Sequence, residues 1–445
     1  MFIEAPLSNG QLYSLREIES CPPASLADAN LPATWDLRGW SAERVDTALR
    51  ELVERHEALR TSYHLRDGVP VQRVHARVDP PIERVDRAVT DFGDPDRTTT
   101  DLLGEAIPMT GGLCWRGVLV STDGAPMFLS LSFSHLILDV WSTMELAARF
   151  RALAAGEPVE PGPAPVELAH GRRSELARSR QAGAERYWRR VLADETLPRF
   201  PCPSAGEESR RIQATLFSHR LGGAAAAAAK RLGVTPPAVL LALVAAGLSK
   251  HTGADRIALS VMSSNRFSEE HRKAVGTLNQ LIPVVAAVDP GATLGEHVTR
   301  LHWACAKAYR HAGYDIDRVT ALAPAGARGF STLFPCWFNY LRLDGVASDP
   351  ADETPAVLEW SPTPRQYGQP FDVRVTVRDG RTALAVRTDP DLVPAAALTD
   401  LLRTVALGAH RAATEPDSTV RELLSAVGTG VPQPLFPVLP DRPNP

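Results

Sequence analysis

Cysteine is scarce in this chain of 445 residues, and its spacing excludes two kinds of site. The five cysteines are odd in number and far apart, at Cys21, Cys114, Cys202, Cys305 and Cys336. No C-x-x-C pair occurs, so a redox pair and a zinc site have no support. A reducing compartment fits this pattern best, and we expect a cytoplasmic protein.

A long hydrophobic run is also missing. The longest apolar stretch, PAVLLALVAAGL at 237–248, is shorter than the roughly 18 residues that a membrane span needs. The N-terminus MFIEAPLSNG lacks a basic region followed by an apolar run. We therefore expect neither a signal peptide nor a membrane span.

The chain has no basic excess either, since its formal net charge is -4. A role on nucleic acid or on an anionic membrane thus has no electrostatic support. The loops G-x-x-x-x-G-K-[ST] and G-x-G-x-x-G and the zinc motif H-E-x-x-H are absent, and we expect no bound cofactor and no metal. The 44% of hydrophobic residues are enough for a substantial core.

The length favours two large lobes, because compact domains usually hold about 100 to 200 residues. Between about 155 and 180 the chain is rich in Pro, Gly and charge, which is typical of a linker. We predict an N-terminal lobe at 1–175, a C-terminal lobe at 176–430 and a Pro-rich tail at 431–445, either mobile or strapped over the surface.

Both helical and strand periods occur along the chain. Apolar residues at intervals of three and four predict a helix over 41–64, with Ser41 as its N-cap. Farther on we expect two helices broken at GVTPP, a strand at RIALSVMSS and a hairpin that turns at Asp379-Gly380.

The stretch LSFSHLILDVWS, at 131–142, joins the two periods around a single histidine. Apolar residues alternate with serines from 126 to 135, which predicts a strand with one buried face. After Asp139 the apolar spacing becomes that of an amphipathic helix that ends near Gly156. The stretch is therefore predicted to be a strand, a short turn and a helix.

His135 shares the buried face of that strand, whereas Ser134 points to the other face. A histidine there can act as a general base, although a core histidine with an internal partner would give the same pattern. Asp139 can belong to a site, or it can be a charge that favours the helix dipole. The opposite directions of Ser134 and His135 argue against a Ser-His nucleophile pair.

The same stretch resembles the H-H-x-x-x-D-G motif of the condensation domains of nonribosomal peptide synthetases and their acyltransferase relatives. Other segments are similar to further motifs of that family, in the family's order. They are SNGQLYSL at 8–15, RHEALRTSY at 55–63, AERYWRRVLA at 184–193, HTGADRIALSVMSSNR at 251–266, VGTLNQLIPV at 275–284, LFPCWFNY at 333–340 and LAVRTDPDLV at 384–393. Matches spread over so much of the chain favour the family's fold.

The resemblance implies a mixed α/β (α+β) fold of two chloramphenicol-acetyltransferase-like lobes, arranged as a V around a central tunnel. An acyl or peptidyl carrier protein would present the acyl donor on its phosphopantetheine arm, and a small amine or alcohol would be the acceptor. His135 corresponds to the second histidine of the motif, which usually has the catalytic role. No adenylation motif or carrier-protein serine motif is visible, so we expect a free-standing enzyme whose donor arrives in trans.

The resemblance also gives Asp139 a role. It is similar to a carboxylate that pairs with an arginine and keeps the turn in shape, and Arg55 or Arg60 is the candidate partner. A solvated helix face is the alternative for both arginines. Further residues could contact substrate, although core filling and helix capping would also explain them. These candidates are Ser134, Val140, Trp141, Ser142, Asn279 and Gln280.

Three positions depart from the family pattern. Ser134 replaces the first histidine of the motif, but it points away from His135, so its presence need not remove the base. Val140 replaces the glycine, and a β-branched residue there adds bulk beside the tunnel. Gln280-Leu281 stands where the family has N-T, which shifts the polar pattern of that segment.

The function implied is acyl transfer in natural-product biosynthesis, giving an amide or, as the close variant, an ester. The alternative is a catalytically silent relative that recruits another enzyme to a carrier-bound intermediate. His135 and Asp139 favour catalysis, whereas Ser134 and Val140 favour the silent relative.

Overall fold

Helices and strands alternate along the chain, which confirms the mixed α/β class. The computed structural model describes residues 1–89, 91–172, 174–198, 211–324, 329–349, 351–361 and 369–427. The strands are β1 (Phe2–Pro6), β2 (Asn30–Asp36), β3 (Thr61–Arg66), β4 (Val69–His75), β5 (Ile82–Asp86), β6 (Trp115–Thr122), β7 (Ala125–Ser134), β8 (Ile212–Ser218), β9 (Arg256–Ser263), β10 (Gln280–Ala287), β11 (Cys336–Arg342), β12 (Val357–Ser361), β13 (Phe371–Arg378) and β14 (Arg381–Thr388). The helices are α1 (Asn9–Glu19), α2 (Ala42–Arg55), α3 (Asp94–Leu103), α4 (Val140–Ala155), α5 (Pro165–Gly171), α6 (Glu175–Leu192), α7 (Arg220–Leu232), α8 (Pro236–Thr252), α9 (Glu269–Arg272), α10 (Leu294–Tyr309), α11 (Ile316–Thr320), α12 (Phe330–Leu333), α13 (Ala395–Thr414) and α14 (Val420–Ala426).

The chain forms two compact units, and unit 1 is built from three separate segments. It comprises Met1–Ala184, Ser264–Gln280 and Gly313–Val319, and unit 2 comprises the other described residues. We expected a single boundary near residue 175. Instead, the chain leaves unit 1 after Ala184 and returns to it twice. The predicted tail at 431–445 lies outside the described residues.

The linker predicted at about 155–180 is partly helical, because α5 (Pro165–Gly171) lies inside it and α6 begins within it at Glu175. The charged residues at its C-terminal end therefore belong to an amphipathic helix. The buried positions of α6 recur at helical spacing, and the arginines between them are exposed. The buried residues include Gln181, Ala184, Glu185, Tyr187 and Trp188.

Strand β7 is central to unit 1. The four-stranded sheet has the order β2-β7-β6-β5, and a separate three-stranded sheet has the order β1-β4-β3. Both faces of β7 are buried, so the prediction of one buried face was wrong. Helix α3 covers the serine face, where the Thr99 hydroxyl donates to Ser130 Oγ at 2.9 Å.

The helix predicted over 41–64 is shorter than expected. Ser41 caps it, since its hydroxyl accepts the N–H of Arg44 at 3.3 Å. Helix α2 ends at Arg55, however, and a 3₁₀ turn over Glu57–Arg60 leads into β3 at Thr61. The apolar spacing continued past the end of the helix because Leu59 is buried in the 3₁₀ turn.

Unit 2 contains a seven-stranded sheet with the order β10-β9-β11-β13-β14-β8-β12. The two helices predicted around GVTPP are confirmed as α7 and α8, and Gly233 ends the first of them at a φ of +66°. The hairpin is confirmed as well, because Asp379 and Gly380 both have positive φ, as a type I′ turn requires.

No single helix among the described residues is both long and apolar enough to cross a bilayer. Helices α7 and α8 meet the length and composition criterion only as a pair, bent by 103°. The middle of α8 is buried, from Ala238 to Leu248.

Candidate active site

His135 lies on a turn that begins directly after Ser134, the last residue of β7, and it is half-buried. The backbone N–H of His135 donates to the carbonyl of Ala29 at 2.9 Å, and the backbone N–H of Ile137 donates to the carbonyl of Ser134 at 3.0 Å. The Ser134 hydroxyl accepts the N–H of Leu136 at 3.2 Å. Hydrogen bonds therefore fix the backbone on both sides of the histidine.

A buried tyrosine on β3 holds the next peptide of this turn. The Tyr63 hydroxyl donates to the carbonyl of Leu136 at 3.2 Å and accepts an N–H of the Gln11 amide at 3.0 Å. The other N–H of Gln11 donates to Gln72 Oε1 at 3.0 Å. Burial, and then the neighbouring Cys114, raises the pKa of Tyr63 well above its usual value, so the phenol keeps its proton.

Asp139 caps helix α4 and forms a buried ion pair. Its Oδ1 accepts the N–H of Ser142 at 2.9 Å, and its Oδ2 accepts the N–H of Leu278 at 3.0 Å. Arg266 donates to both oxygens, at 2.7 and 2.9 Å. The side chains of Arg266 and Asp139 are only 1% and 2% exposed. The carboxylate is thus buried and hydrogen-bonded within unit 1, where it caps α4 and holds the backbone at Leu278.

The first turn of α4 holds the segment Ser264–Gln280 in further ways. The Ser142 hydroxyl donates to the carbonyl of Gly276 at 2.6 Å and accepts a hydrogen bond from Arg266 at 2.8 Å. The indole N–H of Trp141 donates to the carbonyl of Arg272 at 3.1 Å, while 46% of Trp141 stays exposed. The segment is therefore fastened to the helix that Asp139 caps.

The predicted arginine partners of Asp139 were wrong. Arg55 is on the exposed side of α2, where it pairs with Glu51. Arg60 donates to the carbonyls of Val53 and His75, which ties the 3₁₀ turn to the end of β4. Both arginines were chosen because they lie in a family-like motif, which gives no information on distance in the fold.

Sequence reasoning missed Arg266, although it ends the family-like stretch HTGADRIALSVMSSNR. The residue before it, Asn265, has a φ of +54°, and its amide donates to the carbonyl of Leu278 at 2.7 Å. An arginine at the entrance of the returning segment was the available signal. It would have become informative only with the knowledge that this segment packs on α4.

Three predicted substrate contacts are engaged inside the protein. Ser134, Ser142 and Gln280 are at most 3% exposed. The amide of Gln280 donates to the carbonyl of Tyr314 at 2.8 Å and accepts from Asn265 at 3.1 Å. Because these side chains are buried and hydrogen-bonded, we do not propose them as substrate contacts.

The remaining candidates keep some exposed surface. Val140 is the first residue of α4 and is half-buried. Val140 does not have a positive φ. Its backbone therefore does not need the glycine that the family has at this position. Asn279 is half-buried, and its Oδ1 accepts the hydroxyl of Thr277 at 3.2 Å.

The described part of the chain has no group of three or more His, Cys, Asp or Glu side chains arranged to hold a metal ion. His135 is the only titratable side chain in the turn at 135–138.

The fold and the motif together define a protein of two mixed α/β units in which a turn with a histidine precedes a helix-capping aspartate. The family model described as "Condensation domain" matches residues 4–424. The chain therefore belongs to the condensation-domain family. Members of this family generally act as acyltransferases on carrier-bound substrates in natural-product synthesis.

Curated relatives are much longer than this chain. The beauvericin nonribosomal cyclodepsipeptide synthetase of Beauveria bassiana is 27% identical over 351 residues, which is 73% of this chain and 10% of that protein. Bacitracin synthase 3 of Bacillus licheniformis is 22% identical over 359 residues, which is 78% of this chain and 5% of that protein. The chain thus spans a tenth or less of these relatives.

Solved structures share the fold. The condensation domain that mediates chain release from the enacyloxin polyketide synthase gives a TM-score of 0.74 at 20% identity, covering 90% of this chain and 81% of that one. A double mutant of the starter condensation domain of rhizomide synthetase, in complex with C8-CoA and Leu-SNAC, gives a TM-score of 0.70 at 18% identity, covering 94% of this chain and 96% of that one. These likenesses support the fold and carry no information on single side chains.

Proposed function

We propose that this chain transfers an acyl group from a carrier-protein thioester to an amine or a hydroxyl, with His135 as the catalytic residue. The observation that supports it best is the turn itself. His135 keeps exposed surface, while the peptides around it are hydrogen-bonded to Ala29, Ser134 and Tyr63. A reactive side chain on a preorganised backbone is what catalysis by positioning requires.

The proposed reaction needs one base and no cofactor of the chain's own. The acceptor nitrogen or oxygen attacks the thioester carbonyl, so a C–N or C–O bond forms and the C–S bond breaks. His135 accepts the proton of the acceptor and returns it to the phosphopantetheine thiolate as it leaves. An α-amine has a solution pKa of about 8, so the histidine has to hold the amine in line more than to deprotonate it.

The residues proposed to contact the substrates are the candidates that keep exposed surface. They are Val140 and Trp141 on α4 and Asn279 before β10. The proposed partners are an acyl or peptidyl carrier protein and a small amine or alcohol. The same acyl transfer is proposed for this chain where it forms part of a longer protein.

A catalytically silent member that recruits a partner is the second candidate, and one surface of unit 2 favours it. Tyr187 of α6 stacks on His311, which follows α10, with the ring centroids 4.9 Å apart. Four exposed cations of these two stretches form no ion pair among the described residues; they are Arg186, Arg190, Lys307 and Arg310. Trp303, one turn before Lys307 on α10, is 66% exposed. Such a surface suits an acidic partner and does not need His135.

The first experiment compares metabolites in the producing organism, because this requires no guess about substrates. The chromosomal copy is replaced by His135→Ala, by an in-frame deletion of the domain, or by His170→Ala as the matched control. His170 is an exposed histidine on α5 in the same unit. Protein abundance is checked in each strain, and products are compared by mass spectrometry.

Loss of the same product from the His135→Ala and deletion strains, with the product retained in His170→Ala, is the expected result. A product that survives His135→Ala but disappears with the deletion would overturn catalysis by His135 and support the recruiting protein. Purified protein is then assayed with C8-CoA and Leu-SNAC, the pair bound by the rhizomide synthetase domain, as generic donor and acceptor probes.

A further inference from the structure

We propose that Tyr63 and Ser134 are positioning residues that together set the orientation of His135. The inference rests on the proposed function for its kinetic consequence and on the hydrogen bonds of unit 1 for its geometry. Tyr63 lies on β3 and Ser134 ends β7, so two separate strands supply the hydroxyls that meet at this turn. Neither side chain is proposed to touch a substrate.

The two hydroxyls act on opposite ends of one residue. Ser134 Oγ accepts the N–H of Leu136, and Tyr63 donates to the carbonyl of Leu136. The backbone N–H of His135 donates a hydrogen bond to the carbonyl of Ala29. Three successive peptide groups are therefore held, and the backbone torsions of His135 and Leu136 lie between fixed planes. The side chains of 136, 137 and 138 are at most 1% exposed, which anchors the turn further.

The direction of every hydrogen bond in the supporting network is determined by backbone groups at its ends. The N–H of Ser8 can only donate, and it meets Gln11 Oε1 at 2.8 Å. The carbonyls of Pro6 and Pro165 can only accept, and they take both N–H groups of the Gln72 amide, at 2.9 and 3.3 Å.

Since both amides are then oriented, one N–H of Gln11 must point at the Tyr63 oxygen. The Tyr63 proton is left for the carbonyl of Leu136, which is a pure acceptor. The network thus delivers one defined donor to the turn. Without it, a buried carbonyl would lose its partner, and the turn would have to rearrange or admit water.

In this arrangement Ser134 has a structural role of its own in the turn. The serine occupies the position of the first histidine in the family motif, and its short hydroxyl bonds the N–H two residues ahead, as serine does in turns. The departure from the family pattern therefore closes the turn that carries His135. It does not mark a lost group.

The test uses two variants, each with a matched control. Tyr63→Phe removes the hydroxyl at the turn, and Tyr187→Phe removes another buried tyrosine hydroxyl, which donates to the carbonyl of Pro283 at 2.5 Å in unit 2. Ser134→Ala removes the Oγ at the turn, and Ser132→Ala removes a buried hydroxyl that has no hydrogen-bond partner in the described part of the chain. All four proteins retain their full length.

Two measurements are made on each protein. The ring signal of His135 in protein labelled on histidine is assigned by its absence in His135→Ala and followed by NMR. Turnover of C8-CoA with Leu-SNAC gives kcat and KM. We expect the ring signal to shift or broaden in Tyr63→Phe and Ser134→Ala only. We expect kcat to fall roughly tenfold in these two variants with KM within about twofold, because misorientation acts on the bound complex.

An unchanged ring signal in both variants overturns the inference, whatever the activity. A changed signal with kcat equal to that of the controls overturns it too, because the orientation would then have no catalytic effect. If the His135→Ala strain keeps the product that the deletion strain loses, the proposed function fails on its own, and the NMR signal still decides whether the two hydroxyls orient the histidine.

Discussion

Among single residues, Asp139 is notable because its carboxylate and the guanidinium of Arg266, with which it forms an ion pair, are both buried. A buried charge that loses its partner is costly, whereas an exposed pair contributes little. This difference makes Asp139 a structural residue of unit 1, because its buried charge depends on Arg266.

Replacing Asp139 by Asn should destabilise the protein by about 3–5 kcal/mol, because Arg266 would remain as a buried cation without a counter-charge. Asp36→Asn is the control, since Asp36 pairs with Arg38 in the open, with side chains 58% and 63% exposed. We expect that change to cost less than about 1 kcal/mol. Urea unfolding of the three proteins measures both. Equal costs would mean that Arg266 finds enough acceptors in the carbonyls of Ser264 and Gly276.

At the scale of elements, the segment Ser264–Gln280 is notable for how closely it approaches other backbone. A methyl group on Gly10 of α1 would lie 2.2 Å from the carbonyl oxygen of Thr277, and one on Gly162 would lie 2.1 Å from that of Lys273. Both glycines have ordinary backbone torsions, so space and not φ excludes a side chain. The segment therefore depends on two contacts that only glycine permits.

Gly10→Ala should accordingly cost about 1–3 kcal/mol, because the backbone of the segment must move away from α1. Gly171→Ala is the matched control, since a methyl group there meets nothing within 4 Å and α5 should gain slightly from the better helix former. Chemical denaturation compares the two variants. A cost for Gly10→Ala no larger than for Gly171→Ala would contradict the close approach.

Elements with local causes were predictable from the sequence. The strand before His135, the helix from Val140 to the cap at Gly156 and the hairpin at Asp379-Gly380 follow from periodicity and turn chemistry within a few residues. The partner of Asp139 was not predictable, because Arg266 is 127 positions away. Burial of the serine face of β7 likewise depends on α3, which periodicity in β7 itself cannot reveal.

At the scale of the whole molecule, each unit is assembled from separate segments of the chain and not from one continuous stretch. The sequence predicts contiguous lobes because, before the Pro-rich tail, composition changes strongly only at the stretch between about 155 and 180. The two returning segments have ordinary composition and join unit 1 through side-chain contacts such as those of Asp139 and Gln280. Such contacts are long-range by nature, so a compositional boundary misses them.

Both units also bury a histidine that resists protonation, which predicts how the whole protein responds to acid. In unit 1, burial and then the charges of Arg149, Arg55 and Arg60 lower the pKa of His56 to about 3. In unit 2, burial lowers the pKa of His297, whose Nε2 meets the carbonyl of Ala242 at 2.9 Å.

An unfolded histidine titrates near pH 6.5, so below that pH the unfolded chain binds protons that the folded chain refuses. Stability should therefore be full above about pH 6.5 and fall as the pH approaches 3, with His56 contributing about 1.4 kcal/mol per pH unit. In His56→Gln, the free energy of unfolding in urea should depend less steeply on pH between about pH 6 and pH 4. His170→Gln, on the surface of α5, should keep the wild-type slope. Identical slopes in all three proteins would show that His56 takes up its proton without unfolding the chain.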